Sequence, residues 1–265
     1  MTAPTKKSSE ELMIPEELKE KTDEINQIVA DLKQKLEQGD TLYRSQVQQV
    51  QQSRAPSTLN GRNGHNGNAT TEAAEPTANF GGLPYQFFDL IAVGPFQPIG
   101  AGPFRPNRIL RTGEPAFLIA AIWRNPLPLG FQAGNPSAAE VMAGQQYMVR
   151  GQTVNINDVA NGPDLGPATG TFGAGFLDFH VLHIPSVPAP PDGSPKLLDI
   201  TLTIDVRSVA SGLPPFAGYA SVWLQLDTEP PFVFPYIPYV GGPVVVPGLV
   251  PSFVRDIPVR VMIYS

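Results

Sequence analysis

The strongest structural signal in this chain is a set of short segments in which apolar and polar side chains alternate with a period of two. In the segment from residue 200 to 207, the apolar members of the alternation are Ile200, Leu202, Ile204 and Val206. Alternation of this kind is typical of a β-strand with one buried face. Similar segments cover residues 177–181, 222–226 and 257–264. The C-terminal part of the chain is therefore predicted to be mainly β.

The segment from Ala116 to Trp123 differs because it is apolar on both faces, which predicts a central strand covered on both sides. Shorter strand candidates are residues 85–93, 146–150 and 153–157. Gly- and Pro-rich turns join these segments, and we expect an antiparallel two-sheet sandwich, immunoglobulin-like or jelly-roll-like. Tyr219, just ahead of a strand, resembles the corner tyrosine of immunoglobulin-like domains, which favours a sandwich over a barrel.

Charge and proline are segregated along the 265 residues. Residues 1–55 hold 18 of the 42 charged side chains, whereas residues 81–265 hold 21 of them and 26 of the 30 prolines. We predict a charged helical segment over residues 1–52, a flexible linker over 53–82 and a β-rich domain over 83–265. The linker prediction depends on a polar stretch with three Asn-Gly pairs, which tolerate turn conformations and show no apolar periodicity.

A helix is predicted to begin at Pro15, since proline suits the first turn and Glu16 and Glu17 suit its positive end. Gly39 is a candidate for the residue after its end. The apolar residues form a narrow stripe with heptad spacing, called here the helix seam: Leu18, Ile25, Val29, Leu32 and Leu36. The helix either lies across its own domain or forms a short coiled coil that joins copies or docks on a protein partner.

The predicted β domain has the composition of an interface. Its 21 charges in 183 residues are about half the usual share, and Lys196 is its only lysine. Two Pro-rich regions interleave aromatic residues and are called here the apolar arms; they contain Phe96, Phe104, Phe232, Phe234, Tyr236 and Tyr239. Because proline stiffens the backbone and removes a donor, the arms suit packing against another subunit. They could equally fold over the core of their own domain.

Little in the chain predicts catalysis. The chain lacks Cys, which excludes thiol chemistry and zinc–thiolate sites, and it contains three His. The one concentration of potential metal ligands is residues 178–183, where Asp178 and His180 would share one face of a strand and His183 would lie on the other. A metal site built on Asp178 and His180 needs a third ligand, such as Asp199 or Asp205. Trp123 and Trp223 are candidates for an exposed platform that stacks on sugars.

The net charge of −6 and the absence of a basic block argue against nucleic-acid binding. The longest uncharged stretch, residues 230–254, has too many prolines for a membrane helix. The N-terminus has no apolar segment typical of a secretion signal, which leaves the cytoplasm, or a particle assembled there, as the expected setting.

The sequence therefore predicts a non-enzymatic structural or interaction protein without a cofactor or metal. We expect a homo-oligomer or larger particle, with the N-terminal helix joining copies or binding a protein partner, and no membrane insertion. The alternatives are a carbohydrate-binding module and a metal-dependent enzyme that uses His180.

Overall fold

The fold was examined in a computed structural model of the chain. The structure describes residues 12–54, 88–98, 100–128, 134–188, 192–207, 215–220, 222–225, 253–255 and 257–264. Residues 55–82 of the predicted linker and the second apolar arm, with Phe232, Phe234, Tyr236 and Tyr239, lie outside these residues, whereas Ser53 and Arg54 belong to the helix described next.

The chain is mainly β, with a helical segment at the N-terminal end of the described residues. After Pro15, a 3₁₀ turn over Glu16–Lys21 leads directly into helix α1, Thr22–Arg54. Acidic side chains fill the first turn of each element, where they favour the positive end of the helix dipole. The helix continues through Gly39, so the predicted end at that residue is wrong, whereas the predicted start at Pro15 is correct. A second, short helix, α2, spans Ala138–Met142.

The described strands form two sheets. Their bounds are β1 Phe88–Pro98, β2 Phe104–Pro106, β3 Ile109–Arg111, β4 Ala116–Arg124, β5 Gln146–Asn155, β6 Ala160–Asn161, β7 Leu165–Thr171, β8 Leu177–Ile184, β9 Lys196–Arg207, β10 Phe216–Tyr219, β11 Val222–Gln225, β12 Phe253–Arg255 and β13 Val259–Tyr264. Sheet A has the order β12-β11-β1-β4-β8, with β2 paired to β1. Sheet B has the order β3-β13-β9-β5-β6, with β10 paired to β9 and β7 to β5.

Side chains from both sheets meet in one hydrophobic core. The alternation predicted for β9 is confirmed, since Ile200, Leu202, Ile204 and Val206 are buried while the residues between them are partly exposed. Sheet A contributes Leu90, Ala92, Leu118, Ala120 and Leu182 to the same cluster. Every residue of β4 is buried, as predicted for a central strand covered on both sides. The core between the sheets therefore covers one face of β4, and something else must cover the other.

Two details of the predicted β architecture are wrong. The pairs β1–β11 and β13–β3 are parallel, so the sheets are mixed rather than purely antiparallel. The segments 146–150 and 153–157 were predicted as two strands, but β5 is continuous from the first into the second and ends at Asn155. The chain remains extended across Gly151, where β5 pairs with β9 on one side and β7 on the other.

Candidate interaction surface

Helix α1 and the preceding turn lie across the outer face of sheet A. The five residues of the helix seam are all buried, with Ile25, Leu32 and Leu36 completely inaccessible. They form one apolar cluster with side chains of sheet A: Ile91, Val93, Phe96, Phe104, Phe117, Ile119, Ala121, Trp123, Val181 and Leu224. This cluster is called the helix–sheet interface. It covers the second face of β4 and explains why that strand is apolar on both sides.

The period-two geometry of the strands builds the sheet side of this interface. In the register of β1 with β4, Ile91 lies opposite Ala121 and Val93 opposite Ile119. Val181 of β8 lies opposite Ile119 on its other side. Cross-strand neighbours on one face contact each other directly, so these rows make a continuous apolar surface. The surface is wide enough to bury a helix stripe that would otherwise face water.

Phe117 lies at the centre of an aromatic group near the start of the helix. Its ring stacks on Phe96 with a centroid distance of 5.0 Å, and Phe104 meets it edge-on at 4.8 Å. Phe96 and Phe104 are 3% and 6% exposed. In the folded chain both residues pack inward beneath α1, and contact of this arm with another subunit stays a prediction. The alternative, arms folded over their own core, is what the structure has here.

Polar contacts also link the helix to the sheets. The backbone N–H of Phe104 donates a hydrogen bond to the Glu24 carboxylate, which itself lies 3.9 Å from Lys21 within the helical segment. Burial lowers the pKa of His183 on β8, while the carboxylate of Glu17 opposes that shift. These contacts fix the position of the first helical turns along sheet A, which an apolar stripe alone would leave free to slide.

The outcome for the helix seam follows from this packing. The structure has the helix lying across its own domain, so the seam is not a free coiled-coil surface in the folded chain. Contact of the same seam with a second chain stays a prediction. The helix extends 14 residues beyond Asp40, which is also buried.

A cleft of about 410 Å³ opens where the N-terminal segment crosses β7 and β8. Its lining includes Met13, Ile14 and Pro15 from the segment and His183 from β8, with carboxylates from Glu17 and Asp164. The N-terminal segment therefore forms one wall of this cleft, and residues 164–185 form the rest.

Two polar pairs are buried in the structure, Arg124 with Asp178 and Tyr147 with His180. The sequence predicted only part of this arrangement. Arg124 is completely buried, lies 3.1 Å from Asp178 and stacks over the Phe172 ring at 4.5 Å. Its guanidinium also donates to the carbonyl oxygens of Ala139, Gly173 and Gly175. These bonds compensate the cost of burying the charge and tie α2 and the loop before β8 to β4.

The Tyr147 hydroxyl and the His180 Nε2 lie 2.8 Å apart in a hydrogen bond between the two sheets. Burial lowers the pKa of His180 to about 4, so the imidazole is neutral at neutral pH. Sequence reasoning missed Tyr147, although its place in the alternation of β5, as an inward residue beside Val149, was a signal that could have found it.

The structure does not bring the candidate metal ligands together. Asp178 and His180 share a face of β8, as expected, but Asp178 is paired with Arg124 and His180 with Tyr147. Asp199 and Asp205 form ion pairs with Arg260 and Arg150. Within the described ranges, no three His, Asp or Glu residues are placed to hold a metal ion.

The two candidate platform tryptophans pack within the sheets. Trp123 is 1% exposed within the helix–sheet interface, and Trp223 is 3% exposed in the core between the sheets. The Trp223 indole N–H donates to the carbonyl oxygen of Gly94 at 2.6 Å. Neither ring is available to stack on a sugar in this conformation.

A search of protein-family models finds no match for this sequence, and a search of curated proteins finds none either. Among the described helices, none combines the length and the apolar character needed to cross a membrane.

Proposed function

We propose that this is a non-enzymatic structural or interaction protein that assembles into a homo-oligomer or larger particle, with α1 as its docking element. One observation carries the proposal: a broad apolar face of sheet A is covered by a helix that connects to the sheets only through residues 55–87. A domain that completes its own core usually does so with contiguous elements joined by short loops. A helix joined to the sheets by 33 residues is long enough in its tether to bind a second surface.

The buried ionisable groups support a structural role. Arg124 and Asp178 neutralise each other, and the neutral His180 is hydrogen-bonded to Tyr147. Catalytic acids and bases need access to a substrate as well as a shifted pKa. The shift at His180 arises from burial among packed residues, which is the pattern of a structural hydrogen bond.

The surface composition supports association. Apolar side chains that remain exposed include Ile109, Val154, Val159 and Tyr219, and the domain is poor in charge. Low charge together with exposed apolar side chains is typical of surfaces that lie in an interface. For the fold itself, we infer a sandwich of immunoglobulin-like or jelly-roll-like type, because both sheets contribute to one core.

Sedimentation of the full chain across micromolar concentrations tests the proposal. We expect a mass that is a multiple of 28.5 kDa. Replacing Ile25 and Leu32 together by Asp should reduce that mass while the β-sheet circular dichroism remains. A matched variant with Asp at the exposed Asn26 and Gln34 adds the same charge to the same helix and should behave as the unmodified chain. A full chain that sediments at 28.5 kDa throughout would contradict the proposal.

A further inference from the structure

We infer that α1 of one copy covers sheet A of a second copy, so that copies are joined by exchange of their N-terminal helices. This inference rests on the proposed function and names both the partner and the surface. The surface is the helix–sheet interface already described, formed between chains instead of within one.

The length of the connection permits the exchange. Between Arg54 and Phe88 lie 33 residues, which can span up to about 110 Å when extended. Helix α1 is about 50 Å long, and its last 14 residues carry the chain about 20 Å along the axis beyond Asp40. The connection therefore starts well away from the last buried position of the interface. A neighbouring copy within this reach is as accessible to the helix as its own sheet.

The contacts select a second copy rather than an unrelated partner. A second chain supplies the same apolar rows on β1, β4 and β8 that already fit the helix seam. It also supplies the Phe104 N–H for Glu24 and the half-buried His183 beside Glu17. Exchanging an identical element creates no new interface and loses none, which makes it a low-cost route to association.

Docking within one chain and exchange between two chains make the same contacts. The local concentration of a second copy therefore decides between them. For a tether of 33 residues, the effective concentration of the helix on its own sheet is of order millimolar. Exchange prevails where copies are held together at higher local concentration, as in an oligomer or particle. The exposed apolar residues of the domain provide further contacts between copies, which raise this local concentration.

Cross-linking of the full chain tests this inference, and the absence of native cysteine makes the labelling specific. Asp23 and Arg105 are exposed, and they adjoin Glu24 and Phe104, which are hydrogen-bonded to each other. A chain with Asp23→Cys and Arg105→Cys is refolded at high concentration and treated with a flexible bismaleimide. Exchange predicts a product with the mass of two chains, whereas docking within one chain predicts an internally linked single chain.

Dilution with unmodified chain makes the result quantitative. Refolding with a roughly tenfold excess of that chain should lower the yield of two-chain product about tenfold by mass action. A control with Asp23→Cys and Ala217→Cys, the latter exposed on sheet B, should give little of either product. An internally linked product whose yield does not depend on the excess of unmodified chain would contradict the exchange of helices. If exchange is excluded but the chain is still oligomeric by sedimentation, the copies associate through another surface. If the chain is monomeric, the proposed function is contradicted as well.

Discussion

Lowering the pH from 6.5 to about 4 should destabilise the protein through His180. This imidazole is 8% exposed, accepts or donates a 2.8 Å hydrogen bond with the Tyr147 hydroxyl, and has its pKa lowered to about 4 by burial. Above pH 6.5 the side chain is neutral in both the folded and the unfolded chain. As the pH falls below that value, the unfolded chain binds a proton that the folded chain does not, so stability is lost.

The size of the effect follows from the shift. A change in pKa from 6.5 to about 4 corresponds to about 3 kcal/mol at 1.36 kcal/mol per unit. The loss accumulates across that window and levels off below pH 4, where the folded chain also binds the proton. His183 contributes in the same direction because burial lowers its pKa as well.

Urea unfolding across this pH window, compared with a His180→Gln variant, isolates the contribution. Glutamine keeps a hydrogen-bonding group for Tyr147 but does not titrate. The difference in unfolding free energy between the two chains should change by about 3 kcal/mol between pH 6.5 and 4. A His183→Gln variant serves as the control and should retain most of the slope. Parallel curves for the unmodified chain and the His180→Gln variant would refute the reasoning.

Two further substitutions test the interior. Leu32→Ala should weaken docking of α1 by about 2–5 kcal/mol, because it leaves a cavity at a fully buried position. Replacement of the exposed Lys33 by Ala should change the docking free energy by less than about 0.5 kcal/mol. Thermal unfolding followed by helix circular dichroism measures both effects. Gly170→Ala should lower the melting temperature, because a Cβ there would lie 2.4 Å from the Tyr147 hydroxyl oxygen, whereas Gly175→Ala, with nothing within 4 Å, should not. Equal effects within either pair would contradict the packing described here.

The strands of this fold were predictable wherever one face is buried and the other is not. In β9 the alternation of Ile, Leu and Val with polar residues specifies which face meets the core. In β4 the absence of alternation predicted a strand covered on both sides. What that pattern does not specify is which element lies on the second face, because that depends on contacts distant in sequence.

The first apolar arm shows why local rules failed at Phe96. Prolines at positions 95 and 98 argued against a regular strand, but β1 accommodates Pro95 where its register with β4 shifts between Val93 and Phe96, and Pro98 is its last residue. Gly94 has φ +109° at this point, and a Cβ there would contact the Phe96 ring at 2.7 Å. The extra residue places Phe96, rather than Pro95, on the same face as Val93. A sequence pattern with strict period two cannot anticipate that change of face.

The helix seam was correctly located, but its partner was not determined by its spacing. A narrow stripe with heptad spacing fits another helix or a flat sheet, and the composition of residues 53–82 favoured a separate element. The residues that decide the matter, Glu24 and Phe104, are 80 positions apart. No local signal links a carboxylate on a helix with a backbone N–H in a distant strand.

Amide hydrogen exchange of the full chain tests the docking of α1 on sheet A most directly. The account predicts that amides over residues 22–40 exchange as slowly as those of neighbouring strands β1 and β4, and that Ile25→Asp with Leu32→Asp removes the protection of the helix first. Helix amides that exchange at the rate of an isolated peptide, beside strands that stay protected, would contradict it.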